Sequence, residues 1–476
     1  MLKLFKFKPS YERLINILVL VVCLYSVSYG LSDYDYYWQA RLGRYIIKDF
    51  NFNGIYELVW GKIGIESYFD HEWLMNIVFY FSTLLGQYGV FFLKLIITIA
   101  IASAIIYSLG FFNSELNSIE IICFSIVLFL TSTLVFKVKA YSFSVVFVLL
   151  EIVWLYKYKQ SQRNKYFALM LGLLLIWNNV HSGSIPLFFV IAGVFWLVHL
   201  REKKVLIFGV VCALCTLINP YGYRLILFNF AHNGDKVMKL SINDWRPIDA
   251  KLEYGVVCFI ILAIMLLTIC IGKYENDWFV TILGILFLYL VLQSARHIIY
   301  LLPVYVMVLG RCDLPDVLEV KKRSILYGLI VFFTIIGVGA CVHSLVVNYP
   351  VNYCMNYTDD KLKSLLLETN KDTSEGLFST EMINFNGEIE LKGFYSGGYP
   401  LCPSRVVDSL YMQYYASPKE IEKIINHYGL TKFCFVKGNV EFVGYNVNSS
   451  LYNYLKDNSN YKCLYDGDYY CYFVKE

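Results

Sequence analysis

The stretch SDYDYYWQARLGRYIIKDFNFNGIYELVWGKIGIESYFDHEWL, from Ser32 to Leu74, lies between a first apolar segment and the next hydrophobic block. Seven acidic residues stand here beside three tryptophans and a histidine: Asp33, Asp35, Asp49, Glu57, Glu66, Asp70 and Glu72, with Trp38, Trp60, Trp73 and His71. Carboxylates this close to an apolar span are costly unless water, a cation or a substrate interacts with them. We therefore predict that this acidic loop carries the chemistry and that the rest of the chain holds it against a membrane.

The composition is that of a multi-pass membrane protein. Of the 476 residues, 58% are hydrophobic and only 16% are charged, and the mean hydropathy is +0.53. Soluble domains carry roughly 25% charged residues. The net charge of +4 is not gathered in a basic tract, which argues against a nucleic-acid partner. No C-x-x-C pair is flanked by polar residues or histidines, so we expect no zinc site.

The apolar runs predict about eleven membrane crossings, because a span needs roughly 20 apolar residues, fewer at the short end of the range. Trp73–Leu85 is too short to cross and is predicted to be an interfacial helix. The predicted spans are Leu14–Leu31, Gly89–Phe112, Ile119–Phe136, Tyr141–Tyr156, Tyr166–Trp177, Leu187–Leu200, Val205–Ile218, Tyr254–Ile271, Phe279–Leu292, Ile298–Leu309 and Ile325–Val347.

The positive-inside rule orients these spans. With the basic N-terminus in the cytoplasm, the loops Lys157–Lys165, Arg201–Lys204 and Lys321–Arg323 all fall inside. The same topology puts the polar clusters on the outer face: the acidic loop, Lys137 and Lys139, Trp177–His181, Asn219–Gly222, Asp244–Arg246, and Arg296 with His297. We therefore expect an outward-facing site that is built from many helix ends.

Two domains are expected. Residues 1–347 form the membrane domain, with a first outer loop at 32–88, and residues 348–476 form an extracytoplasmic α/β domain. In the latter, Ser417, Pro418 and Glu420 match an N-cap, a first helical position and a capping box, which predicts a helix to Tyr428. The patterns further predict strands at Thr431–Val436 and Tyr469–Val474, and a helix at Ser449–Leu455.

Tyr36–Lys48 in the acidic loop reads as an amphipathic helix on the membrane surface. Trp38, Leu42, Tyr45 and Ile46 share one helical face. Asp33 and Asp35 then stand just before its N-terminus, close to the first span. A helix cap is the simpler interpretation of one of these aspartates, and a catalytic carboxylate is the other.

Several short motifs follow one another along the chain: DYDYYWQARLGRYI at Asp33–Ile46, HEWL at His71–Leu74, WNNVH at Trp177–His181, NPYG at Asn219–Gly222, DWRP at Asp244–Pro247, and Arg296. Their order and spacing resemble bacterial integral membrane glycosyltransferases of the glycosyltransferase-C (GT-C) architecture, of the protein mannosyltransferase and aminoarabinose transferase type. The resemblance covers the membrane part and, more weakly, the tail. The chain departs from the pattern at Gln39, where relatives usually carry His. It departs again at Phe52–Ile55, where a Pro and a second Asp are expected.

The resemblance implies an all-α polytopic membrane domain with a large first outer loop, followed by a small α/β soluble domain. It also implies transfer of a sugar from a polyprenyl-phosphate donor to an acceptor on the outer face of a bacterial cell membrane. A carboxylate takes the proton from the acceptor hydroxyl in such a reaction. Asp35 is the first candidate for this base and Asp33 the second.

Other residues are expected to bind the substrates. The leaving lipid phosphate needs cations near the membrane surface; the candidates are Arg296, Arg246, Lys137 and Lys139. Candidates for binding the sugar, positioning the base or holding a divalent metal are His71, Glu72, Asn179 and His181, with Trp73 as a further substrate contact. No cofactor is certain, and metal dependence and oligomeric state stay open.

Structural roles compete with these assignments. Arg296 and Lys139 are equally explained as interfacial anchors, His181 as a structural histidine, and the tryptophans as an aromatic belt. Two other functions also remain open: a polysaccharide polymerase or ligase that uses a lipid-linked oligosaccharide, and a non-catalytic membrane anchor for surface-polymer assembly. A transporter is disfavoured because the polar clusters gather on one face rather than at the midplane.

Overall fold

The computed structural model describes residues 9–28, 35–61, 69–86, 88–113, 116–234, 245, 247–248, 253–314, 360–371, 376–379, 394, 403–436, 440–442, 445–447, 449–467 and 470–476. Asp33, Arg246 and the predicted span Ile325–Val347 lie outside these residues. The chain divides into two units. The membrane unit comprises Met1–Leu31 and Ser82–Tyr353, and the loop–tail unit comprises Ser32–Phe81 and Cys354–Glu476.

The helices are α1 (Pro9–Ser28), α2 (Asp35–Asp49), α3 (Ile55–Leu58), α4 (Trp73–Thr83), α5 (Tyr88–Phe112), α6 (Ser118–Val135), α7 (Ala140–Ser161), α8 (Lys165–Val180), α9 (Ile185–Phe195), α10 (Lys203–Cys215), α11 (Tyr223–Gly234), α12 (Glu253–Ile271), α13 (Trp278–Gln293), α14 (Leu301–Leu309), α15 (Asp360–Thr369), α16 (Pro403–Tyr414), α17 (Pro418–Tyr428) and α18 (Ser450–Asp457). Short 3-10 helices at Ser182–Ser184 and Ala295–Tyr300 precede α9 and α14, and a π-helix at Trp196–Leu200 continues α9.

In the membrane unit, three helical segments of the described chain are long and apolar enough to cross a membrane: Tyr88–Phe112, Ala140–Ser161 and Ser182–Leu200. Shorter apolar helices occupy most of the other predicted spans, so the count of eleven stays a prediction. α5 packs on α1 and α7, and α7 packs on α8. Every residue of α14 is buried, as expected of a helix that is apolar on all sides.

One end of the membrane unit is held by an ionic network around Asp277, the N-cap residue of α13. The Tyr156 hydroxyl donates to Asp277 Oδ2 at 2.7 Å, and Arg311 Nη2 lies 2.9 Å from the same oxygen. His199 Nε2 lies 3.2 Å from Asp277 Oδ1. This network joins the ends of α7, the π-helix and α13, all of which the positive-inside rule predicts to face the cytoplasm. The same rule predicts that the opposite ends of these helices face outward.

The tail contributes a four-stranded sheet in the order β3 (Leu377–Ser379), β4 (Lys432–Val436), β8 (Tyr470–Lys475) and β7 (Tyr461–Asp466). β3 and β4 run parallel, and the other pairs are antiparallel. The described residues also form four short strands: β1 (Lys273–Tyr274), β2 (Cys312–Asp313), β5 (Val440–Phe442) and β6 (Tyr445–Val447). They pair antiparallel as β1–β2 and β5–β6.

Local sequence signals account for the tail helices. Ser417 and Glu420 form the predicted capping box of α17, and Gly429, at φ 67°, ends the helix. Ile421 and Ile425 are buried in one core with Phe433, Phe435 and other residues of the sheet. The predicted helix to Tyr428, the strands in β4 and β8, and the helix in α18 are confirmed within a few residues.

Candidate active site

The first part of the site is the N-terminal half of α2. Asp35 is the first residue of this helix, where the positive end of the helix dipole favours a negative charge. The Trp38 indole Nε1 donates to Asp35 Oδ1 at 3.0 Å, and Trp38 itself is buried. The predicted amphipathic helix is thus present, and the carboxylate at its start is oriented by a buried ring one turn further on.

The second part is the segment that leads into α4. Gln39 Nε2 donates to Glu72 Oε2 at 2.5 Å, and Gln39 stands four residues after Asp35 on the same face of α2. This bond joins α2, the helix that begins at Asp35, to the segment that carries the predicted site residues His71, Glu72 and Trp73. Gln39 stands where proteins with similar motifs usually carry His. Its neutral side-chain amide donates the hydrogen bond that holds Glu72.

His71 and Glu72 offer two potential metal ligands within this unit. Their Nε2 and Oε1 atoms lie 3.8 Å apart, and both side chains are 15% exposed. An imidazole nitrogen and a carboxylate oxygen are donor types that divalent metals such as Mn²⁺ accept. Trp73 packs its ring edge-on against Phe52, with the ring centroids 5.7 Å apart. The metal prediction stays open; of its four candidate residues, His71 and Glu72 are the two that belong to this unit.

Asp70 is a buried carboxyl group that the sequence reasoning did not assign to the site. Its Oδ1 accepts from the Glu72 amide at 3.1 Å, and its Oδ2 accepts from Asn76 Nδ2 at 2.6 Å. Burial raises the pKa of Asp70 from 3.8 to about 6, although both hydrogen bonds oppose the shift. The segment that positions Glu72 is therefore sensitive to pH.

We expect Asp70 to make the protein less stable as the pH rises. Its folded pKa is above its unfolded pKa, so ionisation between about pH 4 and 6 disfavours the folded state, by roughly 3 kcal/mol when complete. Asp70→Asn should remove this dependence, because Asn76 can reverse its amide and accept from the new donor. Thermal unfolding of the two proteins at pH 4 to 7 measures the effect, and equal pH profiles would contradict it.

Gly43 allows α2 and α4 to approach closely. A Cβ atom at this position would lie 2.0 Å from the Asn76 carbonyl oxygen, and backbone cannot move aside as a side chain does. We expect Gly43→Ala to destabilise the fold by about 1–3 kcal/mol and to separate Gln39 from Glu72. Gly172→Ala is the matched control, because nothing lies within 4 Å of its Cβ position. Equal denaturation midpoints for the two variants would show that this contact is unimportant.

The membrane unit contains a cavity of about 340 Å³ that brings together Arg296 and His181 from the predicted set. Arg296 lies in the 3-10 helix after α13, and its Cζ atom is 3.5 Å from the centroid of the Trp245 ring. A cation over an aromatic face is stabilised by the ring quadrupole. The cavity lining includes Tyr141, Ser184, Leu187, Trp245, Gln293, His297 and Tyr300.

Lys139 lies beside this lining rather than in it. It is the N-cap residue of α7, and its Nζ atom is 5.9 Å from the ring centroid of Tyr141, which lines the cavity. The carbonyl of Lys137, on the same turn, accepts from the Ser142 hydroxyl at 2.8 Å. The backbone of this turn is thus fixed by α7.

His181 is held by buried hydroxyl groups. Its Nδ1 lies 2.8 Å from Ser144 Oγ and 2.9 Å from Ser184 Oγ, and the Trp177 indole donates to both oxygens. Burial lowers the pKa of His181 to about 3, reinforced by the positive charges of Arg296 and His297. The imidazole is therefore neutral at physiological pH and has a fixed orientation at the cavity wall. Sequence reasoning missed the two serines, because small residues in apolar helices carry no signal.

Asn179 connects two helix ends. Its Nδ2 donates to the Leu175 carbonyl at 2.8 Å and to the Ile218 carbonyl at 3.1 Å, which ties α8 to the turn after α10. In that turn, the side-chain Oδ1 of Asn219 accepts a hydrogen bond from the Tyr221 amide at 2.8 Å. Such a bond is typical of the chain reversal that the NPYG motif predicts. Asn179 is not among the described residues that line the cavity, and its role in substrate binding stays a prediction.

No family model and no curated protein matches this chain. Two solved structures of the arabinofuranosyltransferase AftD from Mycobacteria are similar to it. A mutant form matches with 12% identity and a TM-score of 0.54, over 97% of this chain and 41% of that chain. The second matches with 10% identity and a TM-score of 0.51, over 98% of this chain and 40% of that one. The chain thus spans about two fifths of the length of AftD, whose GT-C fold it shares.

Proposed function

We propose that this protein is an integral membrane glycosyltransferase that transfers a sugar from a polyprenyl-phosphate donor to an acceptor hydroxyl. The observation that carries the proposal is the acidic site of the loop–tail unit, where Trp38 orients Asp35 and Gln39 holds Glu72. The fold that the chain shares with an arabinofuranosyltransferase supports the reaction class. The donor, the acceptor and the outer-face location belong to the proposal.

In this reaction the acceptor oxygen attacks the anomeric carbon, the bond from that carbon to the phosphate oxygen breaks, and polyprenyl phosphate leaves. Asp35 takes the proton of the acceptor hydroxyl, which is general-base catalysis. Asp33 is the second candidate for this role. Glu72, fixed by Gln39, contacts sugar hydroxyls or a divalent metal together with His71.

Recognition of the phosphate is assigned to the cavity of the membrane unit. Arg296 supplies a permanent positive charge, and a guanidinium forms bidentate hydrogen bonds with phosphate oxygens. Neutral His181 adds a hydrogen-bonding group without adding charge, and Lys139 adds a second cation next to Tyr141. Arg246 and Lys137 belong to the same proposal on sequence grounds.

The purified protein in lipid nanodiscs tests the function directly. It is incubated with synthetic polyprenyl-phosphate pentofuranose or hexose and a short oligosaccharide acceptor, and release of polyprenyl phosphate is followed by mass spectrometry. We expect release that depends on acceptor and is lost in Asp35→Asn. Turnover of a lipid-linked oligosaccharide alone would favour the polymerase or ligase. Failure of every lipid-linked donor, with and without Mg²⁺ or Mn²⁺, would favour the membrane anchor.

A further inference from the structure

Trp60, in the acidic loop, packs against the buried core of the tail. Its Nε1 donates to the Leu377 carbonyl at 3.0 Å, across 317 residues of sequence. Its ring centroid lies 6.0 Å from that of Phe394, a residue of the buried tail core on which Trp60 packs. The preceding Leu58 and Val59 are also buried, with 0% and 3% exposure. This part of the loop is therefore anchored in the tail.

Arg405 of α16 fixes the same point from the tail side. Its side chain is only 1% exposed, and its Nη1 donates to the Trp60 carbonyl at 2.7 Å and to the Phe394 carbonyl at 2.6 Å. The Cζ atom lies 5.6 Å from the Trp60 ring centroid, and 4.8 Å and 6.0 Å from those of Phe394 and Tyr428. A buried guanidinium is costly unless its donors are satisfied. Two carbonyl oxygens and three aromatic rings surround the Arg405 guanidinium, which indicates a specific buried contact.

The residue that follows Trp60 has a left-handed backbone conformation. Gly61 has φ 75°, a conformation that favours glycine. A Cβ atom there would lie 3.2 Å from Arg405 Nη2, so the guanidinium packs directly on this turn. The contacts of Arg405 therefore fix the backbone at Trp60 and Gly61.

A continuous set of contacts leads from Trp60 to the acidic site. Trp60 follows α3, and the Glu57 amide donates to the Gly54 carbonyl at 2.9 Å. The Cβ position of Gly54 lies 3.1 Å from the side chains of both Leu42 and Tyr45 on α2. The same helix carries Gln39, which bonds Glu72. Displacing Trp60 would thus release the segment that supports α2.

We propose that Arg405 and Trp60 form a clamp by which the tail sets the position of the acidic site, which makes both of them positioning residues. The functional part of this inference rests on the proposed glycosyltransferase activity, and the structural part does not. The tail would then be required for the active site to be correctly positioned. The membrane helices alone would not hold the loop in its reactive conformation.

Hydrogen–deuterium exchange of the full chain in nanodiscs tests the clamp without any substrate. Trp60→Ala removes the ring and its bond to Leu377 but leaves the tail core its own residues. We expect about tenfold faster exchange of the α2 amides, and near-normal exchange in Trp60→Phe, which keeps a ring in the tail core. Phe50→Ala, which removes an aromatic ring of the same loop that is 82% exposed, is the control and should leave α2 unchanged. Unchanged α2 exchange in Trp60→Ala would overturn the proposal.

The kinetic readout separates positioning from folding. With the active protein, we expect Trp60→Ala to lower kcat at least tenfold while the donor KM changes less than twofold, and Trp60→Phe to restore most of the rate. Arg405→Lys keeps the charge but loses the planar guanidinium whose Nη1 donates to both carbonyls, so it should also lower kcat. A normal kcat per folded molecule in both variants would overturn the clamp. If the wild type transfers no sugar at all, the proposed function fails, and the exchange result still decides the clamp.

Discussion

Asp35→Asn is expected to lower kcat for sugar transfer by about 100-fold or more, because general-base catalysis contributes roughly 10²–10⁴-fold. Asparagine keeps the oxygen that accepts from Trp38 at the start of α2, so the helix and its packing should persist. The amide cannot take a proton from the acceptor hydroxyl. Single-turnover assays with saturating donor and acceptor measure the chemical step apart from binding.

The control for this prediction lies at the other end of the same helix. Asp49 is the last residue of α2 and is exposed, so Asp49→Asn removes an equal charge and should keep kcat within about twofold. An active Asp35→Asn protein would rule out Asp35 as the base. The same assay on Asp33→Asn would then show whether the reserve candidate holds that role.

Arg296→Gln is expected to raise the donor KM by about 10- to 100-fold. A hydrogen bond to a charged group contributes roughly 1.5–3 kcal/mol, and each 1.4 kcal/mol is a factor of ten. Glutamine keeps a polar side chain but is shorter and lacks the charge and the fork of the guanidinium. Because Arg296 packs on Trp245 at 3.5 Å, the variant also loses a cation–π contact. Titration of the donor at fixed acceptor measures the effect.

Arg224→Gln is the matched control, because Arg224 is an exposed arginine of the same unit at the start of α11. It should leave the donor KM unchanged. Arg296→Lys should recover part of the affinity, since lysine binds phosphate as a point charge. If Arg296→Gln binds the donor normally, Arg296 acts as an interfacial anchor, the alternative that its sequence context allowed.

Local chemistry explains which elements could be predicted. The Ser417–Glu420 capping box and the apolar spacing of α17 and α2 are contained in a few adjacent residues, and both helices form where expected. The apolar face of each helix can be buried against any apolar surface, so predicting the helix does not require knowing its partner. The number of crossings is harder, because several apolar helices are shorter than a full span and composition alone does not say which of them cross.

The parts of the site that escaped prediction depend on contacts between distant residues. Ser144 and Ser184 look like ordinary residues of apolar segments, yet they fix the imidazole of His181. Asp70 appeared as one acid among seven, because only burial distinguishes it. The pairing of Arg405 with Trp60 spans 345 residues, and a buried arginine gives no sign in sequence of which carbonyl it will contact.

The anchoring of Trp60 in the tail has a consequence for the order of events during synthesis. The loop leaves the ribosome long before its partner, because 317 residues separate Trp60 from Leu377. At about 5–20 residues per second, that interval lasts roughly 15–60 s. Throughout this time Trp60 lacks the tail core against which it packs. We therefore expect the acidic loop to complete its folding only after Leu377 and the tail core around it have been synthesised.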